Sequence, residues 1–427
     1  MLSIASTAAK GDYGTSADAL RQLQLRHQAI ADELLLPGHR EEFSDTLRQD
    51  FESIGSVLKT CSLLRSAYPR ALDFVASHGE LWSSTLLYVA ALEQGLKAVL
   101  VDARSIFKTD AEFTQANPLN EEIQEAMRRE VHPKLSDGCI VITQGFIGST
   151  MDGLTTTNGR GGSDYSAAVF AAALAADELQ IWTDTSGVLS ADPLIVEDAA
   201  PLEILSYEEA TELSHYGAKV LHPKTLLPAF EKQIPVRVLN SKDPFAGGTR
   251  ITVSPESIRG TLPGRPIQSI TAKNNIILVS IRNDRNLQPN VLTDQALRAI
   301  LHSKGGFETF TASKVGFSAV LEQNGHDETL LENLGRLGSV TLRNHRALLC
   351  IVGNNIARNQ VVIAQILAAL EELDIAVDHS FSGVSQHSTL FVIPEQSTTL
   401  AVRAIHEQFI EHVDEELVGS PAPDPAI

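Results

Sequence analysis

Residues 158–165 combine three glycines and an arginine directly before an alanine-rich segment with the composition of a helix. The glycines, which let the backbone approach a ligand without side-chain obstruction, are Gly159, Gly161 and Gly162. The free N–H groups of a helix that starts near Ser163 would carry partial positive charge toward such a ligand. Arg160 adds a planar guanidinium that suits a carboxylate or a phosphate. The spacing predicts an anion-binding turn; the alternative is a purely structural turn with Ser163 or Asp164 as the helix N-cap.

Composition limits the classes of function open to this chain. It has 427 residues and a formal net charge of −19 at pH 7. This length is too great for one hydrophobic core, so two or three domains are expected. The negative charge argues against a nucleic acid or an anionic membrane as partner, because either requires a basic surface. No apolar run approaches the roughly 20 residues that span a bilayer, and the N-terminus shows no signal pattern, so we expect a cytoplasmic protein.

The cysteines predict neither redox nor metal chemistry. The chain has three of them, Cys61, Cys139 and Cys350. An odd number of thiols, far apart and mainly in apolar segments, indicates reduced core residues. The sequence also lacks a convincing Ser/His/Asp triad and a Cys/His cluster with metal-ligand spacing, so we expect no metal site built from protein ligands.

The predicted turn needs a layered α/β domain to position it. Up to about Thr252 helices alternate with short apolar strands, which is typical of a mostly parallel central sheet. Strands are predicted at residues 139–143, 179–182 and 235–239. A helix at Ser206 has a capping box with Glu209 and a stop at Gly217, and another helix begins at Pro223.

The C-terminal part carries a weak internal repeat of strand, helix, strand, strand and helix. Strands and helices of the first copy are predicted at residues 276–281, 293–302 with Thr293 as cap, 315–321 and 327–337, and those of the second at 347–352, 360–370, 390–393 and 398–409. Two such units predict two ferredoxin-like α+β modules, which bind a small molecule or serve only as a dimerisation module. The predicted domains are residues 1–253, a linker at 254–266 rich in Pro and Gly, the two modules at 267–417, and a disordered tail at 418–427.

Several short motifs occur in one order along the chain. They are Ser-His-Gly-Glu at 77–80, Thr-Gln-Gly-Phe-Ile-Gly at 143–148, the glycine turn through Asp164, Ile-Trp-Thr-Asp at 181–184 and Gly-Ala-Lys-Val-Leu-His-Pro at 217–223. Each motif is weak alone, but the ordered series closely resembles the aspartokinases of the amino-acid kinase family. The resemblance covers nearly the whole chain, since aspartokinases also carry two C-terminal ACT modules of ferredoxin-like form.

The resemblance implies transfer of the γ-phosphoryl group of ATP to the β-carboxylate of L-aspartate, which gives 4-phospho-L-aspartate. This is the first step of lysine, threonine and methionine biosynthesis. The nucleophile is already ionised at neutral pH, so catalysis should rest on positioning and charge neutralisation rather than on a general base. Mg²⁺ is expected to be carried by nucleotide oxygens and water. The ACT modules are implied to pair two chains into a homodimer and to bind an amino-acid effector.

The resemblance also assigns roles to individual residues. Arg160 is implied to bind a substrate carboxylate and Glu80 to pair with the aspartate ammonium group. The other implied substrate-site residues are Phe146, Gly161, Gly162, Ser163 and Asp164. The implied nucleotide-site residues are Thr183, Asp184, Lys219 and Val220.

Each of these residues also has a structural alternative. Glu80 would be a first-turn helix acid and Lys219 a last-turn cation, both stabilised by the helix dipole. Phe146 and Trp182 would be core residues. His222, directly before a proline, is expected to be structural rather than catalytic.

The sequence departs from the family pattern at three places. Aspartokinases begin with a strand and a Lys-Phe-Gly-Gly-Thr-Ser loop, whereas this chain opens Met-Leu-Ser-Ile-Ala-Ser, so the catalytic domain is expected to be N-terminally incomplete, with Ser6 or Thr15 as substrate-site candidates. The nucleotide loop has Leu189 and Leu194 where the family has Tyr and Arg, which predicts weaker ATP binding. Residues 290–293 replace the Gly-Phe-Leu of lysine-sensitive members.

These departures define the alternative functions. A catalytically weakened, amino-acid-binding regulatory subunit of an aspartokinase would explain the changed nucleotide loop. A glutamate or carbamate kinase is disfavoured by the ACT pair and by the Ser-Asp that follows the glycine turn.

Overall fold

A computed structural model of the chain describes residues 1–217, 223–253, 265–303, 306–323, 328–382 and 385–411. The chain divides into two compact units, Met1–Ile181 with Leu221–Val236 and Trp182–Val220 with Arg237–Ile427. Of the predicted linker, residues 254–264 lie outside the described residues, as does the predicted tail. The predicted domain boundaries therefore stay predictions.

The described part of the chain has α-helices and β-strands in the following order. The helices are α1 (Leu2–Ala9), α2 (Tyr13–Leu34), α3 (Pro37–Leu64), α4 (Pro69–Glu93), α5 (Ala103–Ile106), α6 (Asn120–Ala126), α7 (His132–Ser136), α8 (Gly162–Leu174), α9 (Tyr207–His215), α10 (Pro223–Glu231), α11 (Pro289–Leu301), α12 (Glu328–Gly335), α13 (Gln360–Glu372) and α14 (Thr398–His406). The strands are β1 (Ala98–Leu100), β2 (Ile140–Ile142), β3 (Ile147–Ser149), β4 (Thr155–Thr157), β5 (Leu179–Thr183), β6 (Ile204–Ser206), β7 (Val236–Asn240), β8 (Thr249–Thr252), β9 (Ser269–Arg282), β10 (Phe307–Ala312), β11 (Gly316–Glu322), β12 (Ser339–Val352), β13 (His379–Phe381) and β14 (Ser388–Pro394).

The first unit begins with four helices, so the predicted alternation of helix and strand is wrong up to Glu93. The reason is visible in α3, whose buried apolar residues recur every three to four positions: Phe43, Leu47, Phe51, Ile54, Leu58 and Cys61. Such spacing forms the apolar stripe of a helix. Proline occupies the first turn of both α3 and α4, where its missing N–H has no helical partner. Trp82 of α4 stacks on Phe51 of α3 with ring centroids 4.6 Å apart, and this contact joins the two helices.

The strands of the first unit lie among shorter helices. The parallel pair β1 and β2 contains the strand predicted at residues 139–143, and β3 pairs with β4 in antiparallel register. Their core includes Phe107, which packs edge-to-face on Phe170 of α8 at 5.3 Å between ring centroids. The glycine-rich turn connects β4 of this hairpin to the start of α8.

The capping box predicted at Ser206 is confirmed in the second unit. The Ser206 hydroxyl accepts from the Glu209 N–H at 3.0 Å, and the Glu209 carboxylate accepts from the Ser206 N–H at 2.8 Å. Helix α9 follows directly and ends at His215, two residues before Gly217, whose φ of +122° suits glycine. Strand β6 pairs in parallel with β8, and the order of this four-stranded sheet is β5-β7-β8-β6. The predicted strands at 179–182 and 235–239 correspond to β5 and β7.

The predicted repeat is present as two βαββα modules. We call β9, α11, β10, β11 and α12 the first module, and β12, α13, β13, β14 and α14 the second module. Their strands form one six-stranded sheet with the order β10-β11-β9-β12-β14-β13, in which every pairing is antiparallel. The antiparallel pairing of β9 with β12 therefore joins the two modules into a single sheet.

Two of the module strands are longer than predicted. Each of β9 and β12 has 14 residues, because each extends beyond its own module to pair with the first strand of the other. The register of the pair shifts between Arg343 and Leu348, and the nearby Asn275 and His345 adopt left-handed backbone conformations with φ of +59° and +52°. These irregularities interrupt the two-residue alternation that would have indicated one long strand.

The first helix of the repeat begins earlier than predicted. Helix α11 starts at Pro289, a residue whose fixed φ suits the first helical position. Thr293 is therefore not a cap but an interior residue, and its hydroxyl donates to the Pro289 carbonyl at 2.8 Å. Residues 290–293 thus form part of the first turns of a helix.

The three cysteines are free thiols. Cys61 and Cys350 are buried, as predicted, whereas Cys139 is partly exposed, so its assignment to the core is wrong. Within the described ranges, no helix is both long enough and apolar enough to cross a membrane.

Candidate functional site

The glycine-rich turn ends in the first turn of α8, as predicted. Gly161 is the N-cap residue with φ of +71°, and no side chain caps the helix. The alternative that Ser163 or Asp164 is the N-cap is therefore wrong, because both lie inside the first helical turn. Arg160 and Ser163 are exposed. The exposed guanidinium and the uncapped helix start together form a positively polarised surface suited to an anion.

Two of the glycines are required by close packing. A Cβ on Gly159 would lie 3.1 Å from the Thr114 carbonyl oxygen, and the φ of this glycine is +75°. A Cβ on Gly162 would lie 2.8 Å from Cδ2 of Phe146. Phe146 itself has a φ of +66°, which is uncommon for a residue with a side chain. The aromatic ring thus packs on the start of α8, and the structure brings Phe146 together with the predicted turn residues.

Two residues that sequence reasoning missed hold the turn in shape. The Ser166 hydroxyl accepts from the Phe146 N–H at 3.0 Å and from Asn158 Nδ2 at 3.0 Å, and it donates to the Gly162 carbonyl at 2.8 Å. The Asn158 N–H donates to the Phe146 carbonyl at 2.9 Å. Asn158 Oδ1 is buried and has no hydrogen-bond partner among the described residues. A buried acceptor of this kind favours a donor group supplied by a ligand.

A buried carboxylate connects α4 to this turn. Asp73 is 1% exposed, and its Oδ2 accepts from the N–H groups of Thr157 at 3.1 Å and Thr114 at 2.9 Å. Its Oδ1 accepts from the Thr157 hydroxyl at 2.7 Å. Burial raises the pKa of Asp73, against the effect of these three hydrogen bonds. Thr157 directly precedes Asn158, so Asp73 fixes the entry to the turn.

Glu80 lies in the interior of α4, so the alternative that it is a first-turn acid is wrong. It follows Asp73 by about two helical turns and therefore lies on the same face of the helix. Burial raises the pKa of the Glu80 carboxyl above its ordinary value of 4.5. No hydrogen bond or ion pair to this carboxylate is found among the described residues. A half-buried carboxylate without a partner favours the binding of a cation.

The predicted nucleotide-site residues belong to the other unit. Thr183 ends β5, and its carbonyl accepts from the Ser241 N–H at 2.8 Å. The Thr183 hydroxyl donates to Asp184 Oδ1 at 3.3 Å, and Asp184 is exposed. Trp182 is 48% exposed, so the alternative that it is a core residue is wrong. Five residues of the motif at 217–223 lie outside the described residues, namely 218–222, which include Lys219, Val220 and His222.

The loop after Asp184 carries the two leucines that depart from the family. Leu189 forms an isolated antiparallel bridge with Pro201. Leu194 is 85% exposed, which is unusual for a large apolar side chain. An arginine at this position would therefore be free to reach a ligand.

The described residues contain no group of three or more His, Cys, Asp or Glu side chains that could hold a metal ion. The described side chains therefore do not fit a cation held by protein ligands alone. They do suit Mg²⁺ bound mainly through phosphate oxygens and water, which this ion prefers.

Comparison with known proteins shows what the chain is similar to. The model of the amino acid kinase family matches residues 8–240, and that of the ACT domain matches residues 349–409. The lysine-sensitive aspartokinase 3 of Escherichia coli is 32% identical over 424 residues, a match that covers 96% of this chain and 90% of the relative. The bifunctional aspartokinase/homoserine dehydrogenase 2 of Arabidopsis thaliana is 30% identical, and its match covers 92% of this chain but only 44% of the relative.

One solved structure has the same fold over nearly the whole of this chain. The crystal structure of E. coli aspartokinase III in complex with aspartate and ADP matches with a TM-score of 0.80 and 29% identity. The match covers 96% of this chain and 91% of the other. These likenesses support a kinase, and none of them favours the alternative of a non-catalytic regulatory subunit.

Proposed function

Because this chain belongs to the amino acid kinase family and, within it, to the aspartokinases, we propose that it transfers the γ-phosphoryl group of ATP to the β-carboxylate of L-aspartate. The product is 4-phospho-L-aspartate, the first intermediate of the aspartate-derived amino acids lysine, threonine and methionine. The observation that carries this assignment is the exposed Arg160 beside the uncapped start of α8, within the region that matches the family.

The chemistry requires little beyond positioning. A carboxylate nucleophile is ionised at neutral pH, so no residue needs to remove a proton from it. Negative charge spreads over the transferring phosphoryl group, and fixed N–H dipoles and cationic side chains stabilise it. By resemblance to the family, Lys219 supplies positive charge on the nucleotide side, whereas Arg160 is committed to the aspartate carboxylate.

The substrate would be held at both of its charged ends. Arg160 forms a bidentate pair with a carboxylate of aspartate, and the Ser163 N–H in the first turn of α8 faces the same anion. Glu80, half-buried and without a partner among the described residues, pairs with the ammonium group. Asp164 fixes the substrate from the first helical turn. Phe146 and Gly161 shape this surface, the former by packing on Gly162.

The nucleotide would bind the second unit. Thr183 and Asp184 contact it at the end of β5, and Lys219 and Val220 contact it by resemblance to the family. Mg²⁺ would arrive on the phosphate oxygens and neutralise their charge. By analogy with the lysine-sensitive E. coli relative, an amino acid would act as effector at the ACT modules. We further propose a homodimer that pairs through these modules, in the cytoplasm.

Aspartyl-hydroxamate formation tests this function. The full chain is incubated with ATP, Mg²⁺, aspartate and hydroxylamine, and hydroxamate should appear only when all four are present. Glutamate in place of aspartate serves as the control substrate. Binding of aspartate and ATP without any hydroxamate would contradict the proposed transfer.

Substitution of Leu194 by arginine is expected to tighten ATP binding. The side chain is exposed, so arginine fits without repacking, and a charge-assisted contact to a phosphate would contribute about 1.5 to 3 kcal/mol. The dissociation constant measured by titration calorimetry should therefore fall by about tenfold or more. The matched control is Leu301→Arg, an exposed leucine of α11, which should leave ATP binding unchanged. Equal affinities of Leu194→Arg and the parent chain would refute a weakened nucleotide loop.

Aspartate affinity is expected to fall in acid because of Glu80. Burial raises the pKa of this carboxyl above 4.5, and only the ionised form pairs with an ammonium group. The KM for aspartate should therefore be constant above the raised pKa and increase by up to about tenfold per pH unit as pH falls below it. Steady-state assays between pH 5 and pH 8 measure this increase of KM on the acid side. In Glu80→Gln the KM should be high throughout; an acid limb that persists in this variant would assign the titration to another group.

A further inference from the structure

The last α-helix of the second module buries a histidine whose two ring nitrogens are both engaged. His406 is 1% exposed at the end of α14. Its Nε2 lies 2.8 Å from the hydroxyl of Ser190, and its Nδ1 lies 2.8 Å from Glu411 Oε1. If the ring donates its Nδ1 proton to the Glu411 carboxylate, its Nε2 accepts from the Ser190 hydroxyl.

Ser190 belongs to the loop that follows Asp184. It is fully buried, and its hydroxyl also accepts from the Ala200 N–H at 3.0 Å. Its own N–H donates to the Ala200 carbonyl at 2.9 Å, while its carbonyl accepts from the Ile270 N–H of β9 at 2.8 Å. Every polar group of Ser190 is therefore engaged. Two of its partners lie in the C-terminal modules, Ile270 in β9 and His406 at the end of α14.

Further contacts attach the rest of this loop to the same structure. The Ser269 hydroxyl donates to the Leu189 carbonyl at 2.9 Å, and Arg403 Nε of α14 donates to the Ile195 carbonyl at 2.7 Å. Ala191 and Val196 are 5% and 7% exposed and belong to the hydrophobic core of the second module. The backbone from 189 to 196 is thus attached to the modules at several points, in addition to hydrogen bonds within the loop such as those between Ser190 and Ala200.

The Ser190–His406–Glu411 chain resembles the order of a hydrolytic triad, but its burial excludes that role. A nucleophile must reach its substrate, whereas the side chains of Ser190 and His406 are inaccessible to solvent. Ser190 and His406 are buried with their polar groups paired, and such a buried polar pair instead specifies one arrangement of the elements that it joins.

We propose that His406 is a positioning residue for ATP, which holds the nucleotide loop against the second module through Ser190. The proposal rests on the function assigned above, in which the segment after Thr183 and Asp184 contacts the nucleotide. The position of the loop, and hence the affinity for ATP, depends on how α14 packs against the loop. Aspartate affinity does not, because the residues assigned to aspartate belong to the other unit.

Two near-isosteric variants separate the two ring nitrogens. Glutamine places its amide near the position of Nε2 and keeps an acceptor for the Ser190 hydroxyl. Asparagine reaches only the position of Nδ1, so the Ser190 O–H loses its acceptor while the hydroxyl oxygen still accepts from the Ala200 N–H. We expect His406→Asn to raise both the KM for ATP and the dissociation constant of a non-hydrolysable ATP analogue by about five- to tenfold. His406→Gln should stay within about twofold of the parent chain, and the KM for aspartate should change in neither variant.

A stability control distinguishes positioning from general weakening. Leu334→Ala creates a cavity in the separate core of the first module, where Leu334 is fully buried. It should lower the melting temperature without changing the KM for ATP. Proportional changes of both KM values in His406→Asn, equal effects of the two His406 variants, or an effect of Leu334→Ala on the KM for ATP would each overturn the proposal. A parent chain that binds no ATP analogue would overturn the proposed function and this inference together, whereas an active parent with unaffected variants would overturn the inference alone.

Discussion

Replacement of Arg160 by alanine is expected to raise the dissociation constant for aspartate by about a hundredfold or more while the fold stays intact. A bidentate guanidinium–carboxylate pair consists of two charge-assisted hydrogen bonds, each of which contributes about 1.5 to 3 kcal/mol. Arg160 is exposed, and no hydrogen bond or ion pair engages its guanidinium in the described part of the chain. Its loss therefore removes a contact to the substrate and none to the protein. Titration calorimetry with aspartate and a urea unfolding curve measure the two effects separately.

Two further variants sharpen this experiment. Arg160→Lys keeps the positive charge but loses the planar fork, so it should recover only part of the aspartate affinity. Arg26→Ala removes an exposed arginine from α2, at a distance along the chain from every assigned residue, and should change neither quantity. Unchanged aspartate affinity in Arg160→Ala would remove Arg160 from the site. A large loss of stability would show that the residue has a structural role instead.

The parts of this site that could be predicted from the sequence depend on residues close together in the chain. The start of α8 follows from three glycines within four positions, and the capping box at Ser206 requires only the residue three positions later. Such local patterns specify backbone conformation directly. The same holds for the buried thiols of Cys61 and Cys350 and for the two βαββα modules, whose apolar periodicity is local.

The parts that were missed depend on residues distant in sequence. Asp73 and Thr157 are 84 positions apart, and Ser190 and His406 are 216 positions apart. Nothing in the composition around Asp73 distinguishes a buried acceptor from an ordinary helix acid. The first halves of β9 and β12, which extend these strands beyond their predicted bounds, were missed for a related reason, since each is stabilised by pairing with the other module. Tertiary pairing of this kind leaves no regular signal in a single sequence.

The second large effect is expected from Asp73, whose replacement by alanine should lower the free energy of unfolding by about 3 kcal/mol. Truncation leaves the buried N–H groups of Thr114 and Thr157 and the Thr157 hydroxyl without their acceptor. Each unsatisfied buried group costs about 1 to 3 kcal/mol. Part of this cost is offset, because burial makes the ionised carboxylate unfavourable at neutral pH, as the raised pKa of Asp73 indicates, and alanine removes that charge. Urea denaturation at pH 7 measures the difference.

Asparagine at the same position separates hydrogen bonding from charge. In Asp73→Asn the amide oxygen can accept from both N–H groups, and the amide nitrogen can donate to the Thr157 hydroxyl, which reverses one hydrogen bond without losing it. We therefore expect Asp73→Asn to lower the free energy of unfolding by less than about 1 kcal/mol and to keep most of its aspartate affinity. Asp73→Ala should lose both stability and aspartate affinity. Asp18→Ala, an exposed aspartate of α2, is the control and should cost less than about 0.5 kcal/mol. If asparagine were as damaging as alanine, the negative charge of Asp73 rather than its hydrogen bonds would be what holds α4 to the glycine-rich turn.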